Sequence, residues 1–99
     1  MDYNEFVKIK DASEIPDYLP ALLRALLLEA VGDWEGAHEI AQNDHTRDGS
    51  WVHAYLHRVE GDLSNASYWY SNAGRKMPDM KLKEEWEIIA RELLPDTRD

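Results

Sequence analysis

Apolar side chains fill most positions between Leu19 and Val31, and only Arg24 and Glu29 interrupt them. Proline is tolerated in the first turn of a helix, and Pro16 lies just before this run. We therefore predict a first helix that begins around residues 15–17 and ends at Val31. The run is too short to cross a bilayer, which takes roughly 20 apolar residues. It is typical of a largely buried helix in a globular protein.

Two Gly-Asp pairs divide the chain in the same way, at Gly32-Asp33 and at Gly61-Asp62. Glycine commonly ends a helix because it adopts the left-handed backbone conformation without a steric penalty. Aspartate caps the next helix by accepting hydrogen bonds from the free N–H groups of its first turn. Each pair thus predicts one helix end and one helix start. The helices expected after the two pairs cover residues 34–43 and 63–73.

Two further helices are predicted from the remaining pattern. Residues 43–49 are polar and turn-like, and a helix is expected to follow from Ser50, as its cap, to Glu60. A C-terminal helix at 80–94 is amphipathic, with one apolar side made of Leu82, Trp86, Ile89, Ala90 and Leu93. The acidic residues of this helix, Glu84, Glu85 and Glu87, alternate with basic ones, and we interpret them as a solvated face.

These elements predict an all-α fold of about five helices, with two antiparallel helical hairpins and a C-terminal capping helix. We expect a single helical domain over residues 1–99. Its parts would be an N-terminal arm at 1–14, a first hairpin at 15–44, a second hairpin at 49–74 and the capping helix at 80–94. In the arm, Phe6, Val7 and Ile9 fit either a helix end or a short extended piece.

The two Gly-Asp pairs belong to an internal repeat. Their glycines are 29 residues apart, and residues 25–44 align with residues 54–73 at six identities. The identical pairs are Ala25/Ala54, Leu27/Leu56, Gly32/Gly61, Asp33/Asp62, Ala37/Ala66 and Asn43/Asn72. Small side chains at the alanine positions let two helices approach closely. The repeat therefore favours stacked helical hairpins.

This repeat resembles the tetratricopeptide repeat, whose hairpins carry small residues, a Gly-Asp-type turn and an aromatic at set positions. The second copy matches at Ala54, Gly61, Asp62, Ala66, Tyr70 and Ala73, followed by Pro78. The first copy matches at Ala25, Gly32, Asp33 and Ala37, and then departs at Ala41 and Asp44. The resemblance implies a stack of helical hairpins that presents a groove. The run WVHAYLHRVEGDLSNASYWY is also similar to short uncharacterised bacterial proteins, and this likeness implies no activity.

Composition and charge narrow the classes of function. The 99 residues include 43% hydrophobic positions, four Trp, five Tyr and no Cys, which favours a packed globule without disulfides. A net charge of −9 argues against nucleic acid as a partner, because polyphosphate binding needs a basic face. The N-terminal residues lack an apolar leader segment. We expect a cytoplasmic protein with no nucleic-acid or membrane partner and no cofactor.

His53 and His57 are the strongest candidates for a metal-binding, anion-binding or acid–base role. At positions i and i+4 they project from one helix face, which Glu60 extends at i+7. Such a pair can hold a divalent metal, bind a carboxylate or phosphate, or act as an acid–base pair. A third protein ligand is not evident from the spacing, because His38 belongs to another helix and His45 to a loop.

A structural role for the same two histidines is the alternative. The helix that carries them is mostly apolar, so both imidazoles would lie in the core and bond to groups such as Tyr70, Asn65 or Asp62. Burial would keep them neutral and lower their pKa values, and stability would then fall as the pH drops. Pairing with Glu60 or Asp62 would instead raise those pKa values, and the histidines would then stabilise the protein at low pH.

A recognition groove is the second candidate site. Trp51 and Tyr55 form an aromatic stripe on the predicted third helix, and Tyr68 joins Asn65 in a polar row on the fourth. Aromatic bodies with polar tips favour recognition surfaces. A solvated face with one exposed tyrosine is the plainer interpretation of that row.

The sequence therefore favours a small binding or scaffold module that recognises a peptide, a protein surface or a small polar ligand through an aromatic and histidine-lined groove. The residues expected to bind are Trp51, His53, Tyr55, His57, Glu60, Asn65 and Tyr68. The alternative is a small enzyme or metal-dependent protein centred on His53 and His57. A homodimer formed through the Trp34 or Trp86 surface is a third hypothesis.

Overall fold

The computed structural model describes residues 1–12 and 14–95, and these residues form helices and loops without a strand. The predicted all-α class is confirmed. The described part of the chain contains six helices rather than five. They are α1 (Tyr3–Lys10), α2 (Ala21–Ala30), α3 (Trp34–Gln42), α4 (Arg47–Val59), α5 (Leu63–Asn72) and α6 (Leu82–Leu93).

The additional helix, α1, lies within the predicted N-terminal arm. A capping box begins it, since the carboxylate of Asp2 accepts from the backbone N–H of Glu5 at 2.8 Å and the Glu5 side chain accepts from the N–H of Asp2. Phe6 is fully buried and stacks on Trp86 at 5.6 Å between ring centroids. A helix of eight residues is marginal by itself, so this tertiary contact stabilises it.

The apolar helix α2 starts at Ala21, later than predicted. Pro20 precedes it as the cap, and the residue before a proline is disfavoured in the helical conformation. The stretch that contains Pro16 therefore stays outside the helix. Among the described residues, no helix combines the length and the apolar character needed to cross a membrane.

The structure confirms the predicted turns at both Gly-Asp pairs. Gly32 has φ +97° and Gly61 has φ +84°, which is the left-handed region that favours glycine. Asp33 then accepts from the N–H of Gly36 at 2.9 Å, and Asp62 accepts from the N–H of Asn65 at 3.4 Å. Each pair therefore ends one helix and caps the next.

Replacing Gly61 by Ala should lower the free energy of unfolding by about 1 kcal/mol. A Cβ at this position would meet no atom within 4 Å, so the whole cost comes from holding a side-chain residue at positive φ. Urea unfolding monitored by circular dichroism measures the change. Gly61→Asn is the control and should cost less, because asparagine tolerates this conformation. Equal losses for Ala and Asn would contradict the backbone explanation.

The helix α4 begins at Arg47, three residues before the predicted start at Ser50. The cap is Thr46, whose hydroxyl accepts from the N–H of Gly49 at 3.0 Å. Thr46 in turn donates its own N–H to the carboxylate of Asp44. Ser50 is instead buried inside the helix and accepts from Asn72 at 2.8 Å.

The core is organised around α4, which packs against α2, α3, α5 and α6. Every residue of α4 from Gly49 to His57 is buried. The pairs α2/α3 and α4/α5 pack most extensively, and the alanines at positions 37, 54 and 66 are fully buried. Trp86 connects α6 to α2 by donating its Nε1–H to the carbonyl of Leu26 at 3.0 Å.

The interpretation of the acidic residues of α6 as a solvated face is wrong for Glu85. This residue is 2% exposed and accepts a hydrogen bond from the hydroxyl of Tyr70 at 2.7 Å. Arg58 donates to the same carboxylate at 2.9 Å, and Trp51 donates its Nε1–H at 3.3 Å. Burial, followed by the bond to Glu85, raises the pKa of Tyr70. Because a buried charge needs a partner, α6 is docked by an ion pair as well as by apolar contacts.

Candidate functional site

Three histidines converge between α3 and α4. His38 comes from α3, His53 and His57 come from α4, and one ring nitrogen of each lies within 4.8 Å of the others. The Nε2 atoms of His38 and His53 are 3.1 Å apart. His53 is 5% exposed and His57 is 6% exposed, whereas His38 is half-buried. The cluster therefore lies at the edge of the core, with its accessible side at His38.

Trp34 positions His38 in this cluster. The two side chains stand one turn apart on α3, and their rings stack at 4.7 Å with an angle of 12° between the planes. The Nε1–H of Trp34 donates to the carbonyl of Leu56 on α4 at 2.8 Å. That bond fixes the indole, and the indole in turn fixes the imidazole against α4.

Trp69 of α5 covers the cluster on the other side. Its ring stacks on His53 at 4.2 Å with a 25° angle between the planes. Tyr68 contacts Trp69 edge-on at 5.1 Å and is 63% exposed. The imidazoles therefore lie between two indoles, with an exposed tyrosine beside them.

Hydrogen bonds set the tautomer of His57. Its Nδ1 is 2.7 Å from the carboxylate of Glu60, and its Nε2 is 3.4 Å from the amide nitrogen of Asn65. A carboxylate only accepts, so a neutral His57 carries its proton on Nδ1. Nε2 then keeps a lone pair, which accepts from Asn65. A carboxylate behind a histidine is the usual arrangement for orienting a metal-binding imidazole.

Burial keeps His38 and His53 uncharged near neutrality. Desolvation, with smaller contributions from His38 and His57, lowers the pKa of His53 to about 4. Desolvation and His57 also lower the pKa of His38, although the charges of Glu60 and Glu35 oppose that shift. Since a metal ion binds the neutral imidazole, the two rings are in the binding form at pH 7.

The spacing of two of the three imidazoles, His38 and His53, is close to that of two ligands of one metal ion. Zinc–nitrogen bonds of about 2.0–2.1 Å at a tetrahedral angle place two ligand nitrogens roughly 3.3 Å apart. The 3.1 Å between His38 and His53 is close to that separation. A second group of donors, His57, Glu60 and Asp62, shares His57 with the first. In that group Asp62 is also occupied in capping α5.

The predicted site residues separate into two sets. His53, His57, Glu60, Asn65 and Tyr68 lie in or beside the histidine cluster. Trp51 and Tyr55 do not take part in it: each is 3% exposed, and they bond to Glu85 and Glu29 respectively. The expected aromatic stripe is therefore part of the core. The pKa of Tyr55 is raised, mainly by desolvation and then by Glu29.

Three residues in or against the cluster were not among the predicted site residues, namely His38, Trp34 and Trp69. His38 could have been suspected, because Trp34 stands one turn before it and consecutive helices usually pack together. Trp69 carries no such signal. Neighbouring residues on a helix point about 100° apart, and the choice between Trp69 and Tyr70 as the core residue depends on the rotation of α5.

Comparison with known proteins identifies no relative from which a role for the cluster could be transferred. No family model matches this chain, and no curated protein or solved structure matches it either.

Proposed function

We propose that this protein binds a divalent transition-metal ion through the imidazoles of His38, His53 and His57. The observation that carries the proposal is the approach of three ring nitrogens, from two helices, to within 4.8 Å of one another. Two neutral imidazoles gain at most one hydrogen bond from a 3.1 Å contact such as that of His38 with His53. One shared ion would satisfy all three lone pairs at once.

The surroundings of the cluster support this role. Glu60 accepts a hydrogen bond from Nδ1 of His57, so the lone pair of Nε2 is the one that would bind the ion. Trp34 and Trp69 hold His38 and His53 by stacking, so little side-chain entropy would be lost when an ion binds. Imidazole ligands suit Zn²⁺, Co²⁺, Ni²⁺ and Cu²⁺, whereas Mg²⁺ and Ca²⁺ prefer oxygen. Zn²⁺ is the ion best suited to three such donors.

The test is metal binding to protein that was purified without a histidine tag and stripped with a chelator. Isothermal titration calorimetry with Zn²⁺ is expected to give about one ion per chain. Replacing His38, His53 or His57 singly by Gln should weaken binding at least about 100-fold, because each change removes a direct ligand. Gln is close to His in size and stays neutral, so the fold should tolerate it.

His45→Gln is the matched control. His45 is the remaining histidine of the chain, it is exposed, and it does not belong to the cluster. Zinc affinity equal to that of the unmodified protein is expected for this variant. The proposal would be overturned if the unmodified protein bound Zn²⁺ only weakly, or if all four variants lost zinc affinity equally.

The helical framework supports a related proposal, that α2/α3 and α4/α5 are two tetratricopeptide-like hairpins. The repeated turns and the buried alanines at 37, 54 and 66 favour this arrangement. In such a stack the second helix of one hairpin faces the first helix of the next. That order would bring His38 of α3 opposite His53 and His57 of α4.

A binding function without metal is the second candidate. It is favoured by Tyr68, which is 63% exposed and contacts Trp69 beside the cluster. Asn65, on the same helix, already contacts His57. A small polar ligand bound here would be detected by chemical-shift changes at these residues in chelator-treated protein. Loss of the changes in Tyr68→Ala would assign them to this surface.

A further inference from the structure

The histidine cluster supplies fewer donors than a transition-metal ion takes. Zinc and cobalt bind at least four ligands, and three imidazoles leave one position for another donor. Among the described residues, the other donors grouped with His57 are Glu60 and Asp62. Glu60 is bonded to Nδ1 of His57 at 2.7 Å, and Asp62 caps α5. Neither is free to turn toward the three nitrogens without breaking these contacts.

Asn65 contacts the lone pair of His57 through which an ion would bind. Its amide nitrogen is 3.4 Å from Nε2 of His57, the atom that would bind the ion. An ion on Nε2 would take the lone pair to which this amide donates and would displace the amide to a position beside the ion. The N–H of Asn65 would then be available to donate to whatever occupies the fourth position. A side-chain donor beside an ion favours a ligand that accepts hydrogen bonds.

The carboxylates around the cluster favour a singly charged ligand, and the neighbouring indoles favour a small one. Three neutral imidazoles leave both positive charges of the ion uncompensated by direct ligands, so an anion is favoured. Glu35 and Glu60 lie close enough to His38 for their negative charges to favour its protonated form. Asp62 lies within 4.8 Å of His57. These carboxylates repel a dianion more strongly than a monoanion. Trp34 and Trp69 stack on His38 and His53, and a ligand that has to fit beside these two indoles is favoured to be small.

We infer that the bound ion keeps an open coordination position beside Asn65, and that this position takes a small monoanion with Asn65 as a hydrogen-bond donor. This inference rests on the proposed metal-binding function. It assigns Asn65 as an anion-binding residue, since the side chain donates a hydrogen bond directly to the ligand. Azide is a suitable probe, because it is small, singly charged and a good metal ligand.

The experiment uses the Co²⁺-loaded protein, whose visible absorption reports the coordination of the ion. The number of Co²⁺ ions bound is measured first, and azide is then titrated. A saturable change in the visible spectrum is expected, whereas phosphate at the same concentration should have little effect. Asn65→Leu should bind Co²⁺ within about twofold of the unmodified protein and azide about tenfold more weakly, since a hydrogen bond to a charged ligand is lost.

Two further variants complete the test. Asn65→Asp places a carboxylate within reach of the fourth position, so the azide response should disappear while Co²⁺ stays bound. Asn4→Leu, an exposed residue on α1, is the control and should leave both affinities unchanged. Bound Co²⁺ with no azide response, or an unchanged azide affinity in Asn65→Leu, would overturn this inference alone. Failure to bind Co²⁺ would overturn the metal-binding proposal and this inference together.

Discussion

Replacing Arg58 by Met is expected to lower the free energy of unfolding by about 3–5 kcal/mol, because the change leaves a buried carboxylate without its cation. The ion pair of Arg58 with Glu85 is 2.9 Å long, and the two side chains are 13% and 3% exposed. Arg58 also donates its Nη2–H to the carbonyl of Met80, which precedes α6. Methionine retains most of the apolar stem, so the loss of stability measures the contribution of the missing charge and its hydrogen bonds.

Arg91→Met provides the matched control for this prediction. Arg91 forms the same kind of pair with Glu87 at 2.8 Å, but those side chains are 58% and 45% exposed. The control should cost less than about 1 kcal/mol, since water solvates both charges. The double variant Arg58→Met/Glu85→Gln should recover part of the loss, because an amide can still accept from Tyr70. Equal costs for Arg58→Met and Arg91→Met would contradict the structural explanation.

Stability should also fall by about 2 kcal/mol between pH 7 and pH 5 in chelator-treated protein, which corresponds to roughly 10 °C in Tm. The pKa of His53 is lowered to about 4 from an ordinary value of 6.5. The unfolded chain therefore binds a proton that the folded chain excludes. The stabilisation is complete above the unfolded pKa and is lost as the pH drops from about 6.5 toward 4.

The neighbours of His53 act on this pH dependence in both directions. His38 and His57 contact the ring and disfavour its charged form, and the pKa of His38 is lowered as well. Glu35 and Glu60 oppose the shift at His38. Desolvation is the largest cause of the lowered pKa at both rings. The sequence predicted this direction for His53, whereas it made no such prediction for His38.

Thermal melts of His53→Gln and His45→Gln across this pH range measure the effect. The first variant should lose most of the slope of Tm against pH, because a neutral amide binds no proton. The second should keep the slope, since His45 is exposed. A full slope in His53→Gln would assign the acid sensitivity to other groups.

Local signals in the sequence were enough to predict most of the helices. The Gly-Asp pairs at 32–33 and 61–62 set two turns through positive φ and side-chain caps, which depend on the residue type and not on the fold. The starts of α2 and α4 were misplaced because Pro20 and Thr46 compete with neighbouring start signals. The sequence left α1 undecided between a helix end and an extended piece, because its stability depends on the contact of Phe6 with Trp86, 80 residues away in the chain.

The candidate site was predictable only in part. The spacing of His53 and His57 indicates a shared face, because i and i+4 positions are neighbours on any α-helix. Placing Trp51 and Tyr55 in a groove with Tyr68 required knowing how α4 is rotated and what covers it. The structure surrounds α4 with four helices, and both aromatics are buried among them. How exposed a side chain on a central helix is depends on the helices that pack around it.

The sequence by itself determined the helical class, the two Gly-Asp turns, the shared face of His53 and His57, and the net negative charge, because each depends on residues close in the chain or on composition alone. The tertiary structure decided that His38 completes a cluster with them and that Trp34 and Trp69 enclose it. It also decided that Glu85 is a buried partner of Arg58 rather than a solvated acid. Such contacts depend on how helices pack and rotate against one another, and no spacing along a single helix encodes that arrangement.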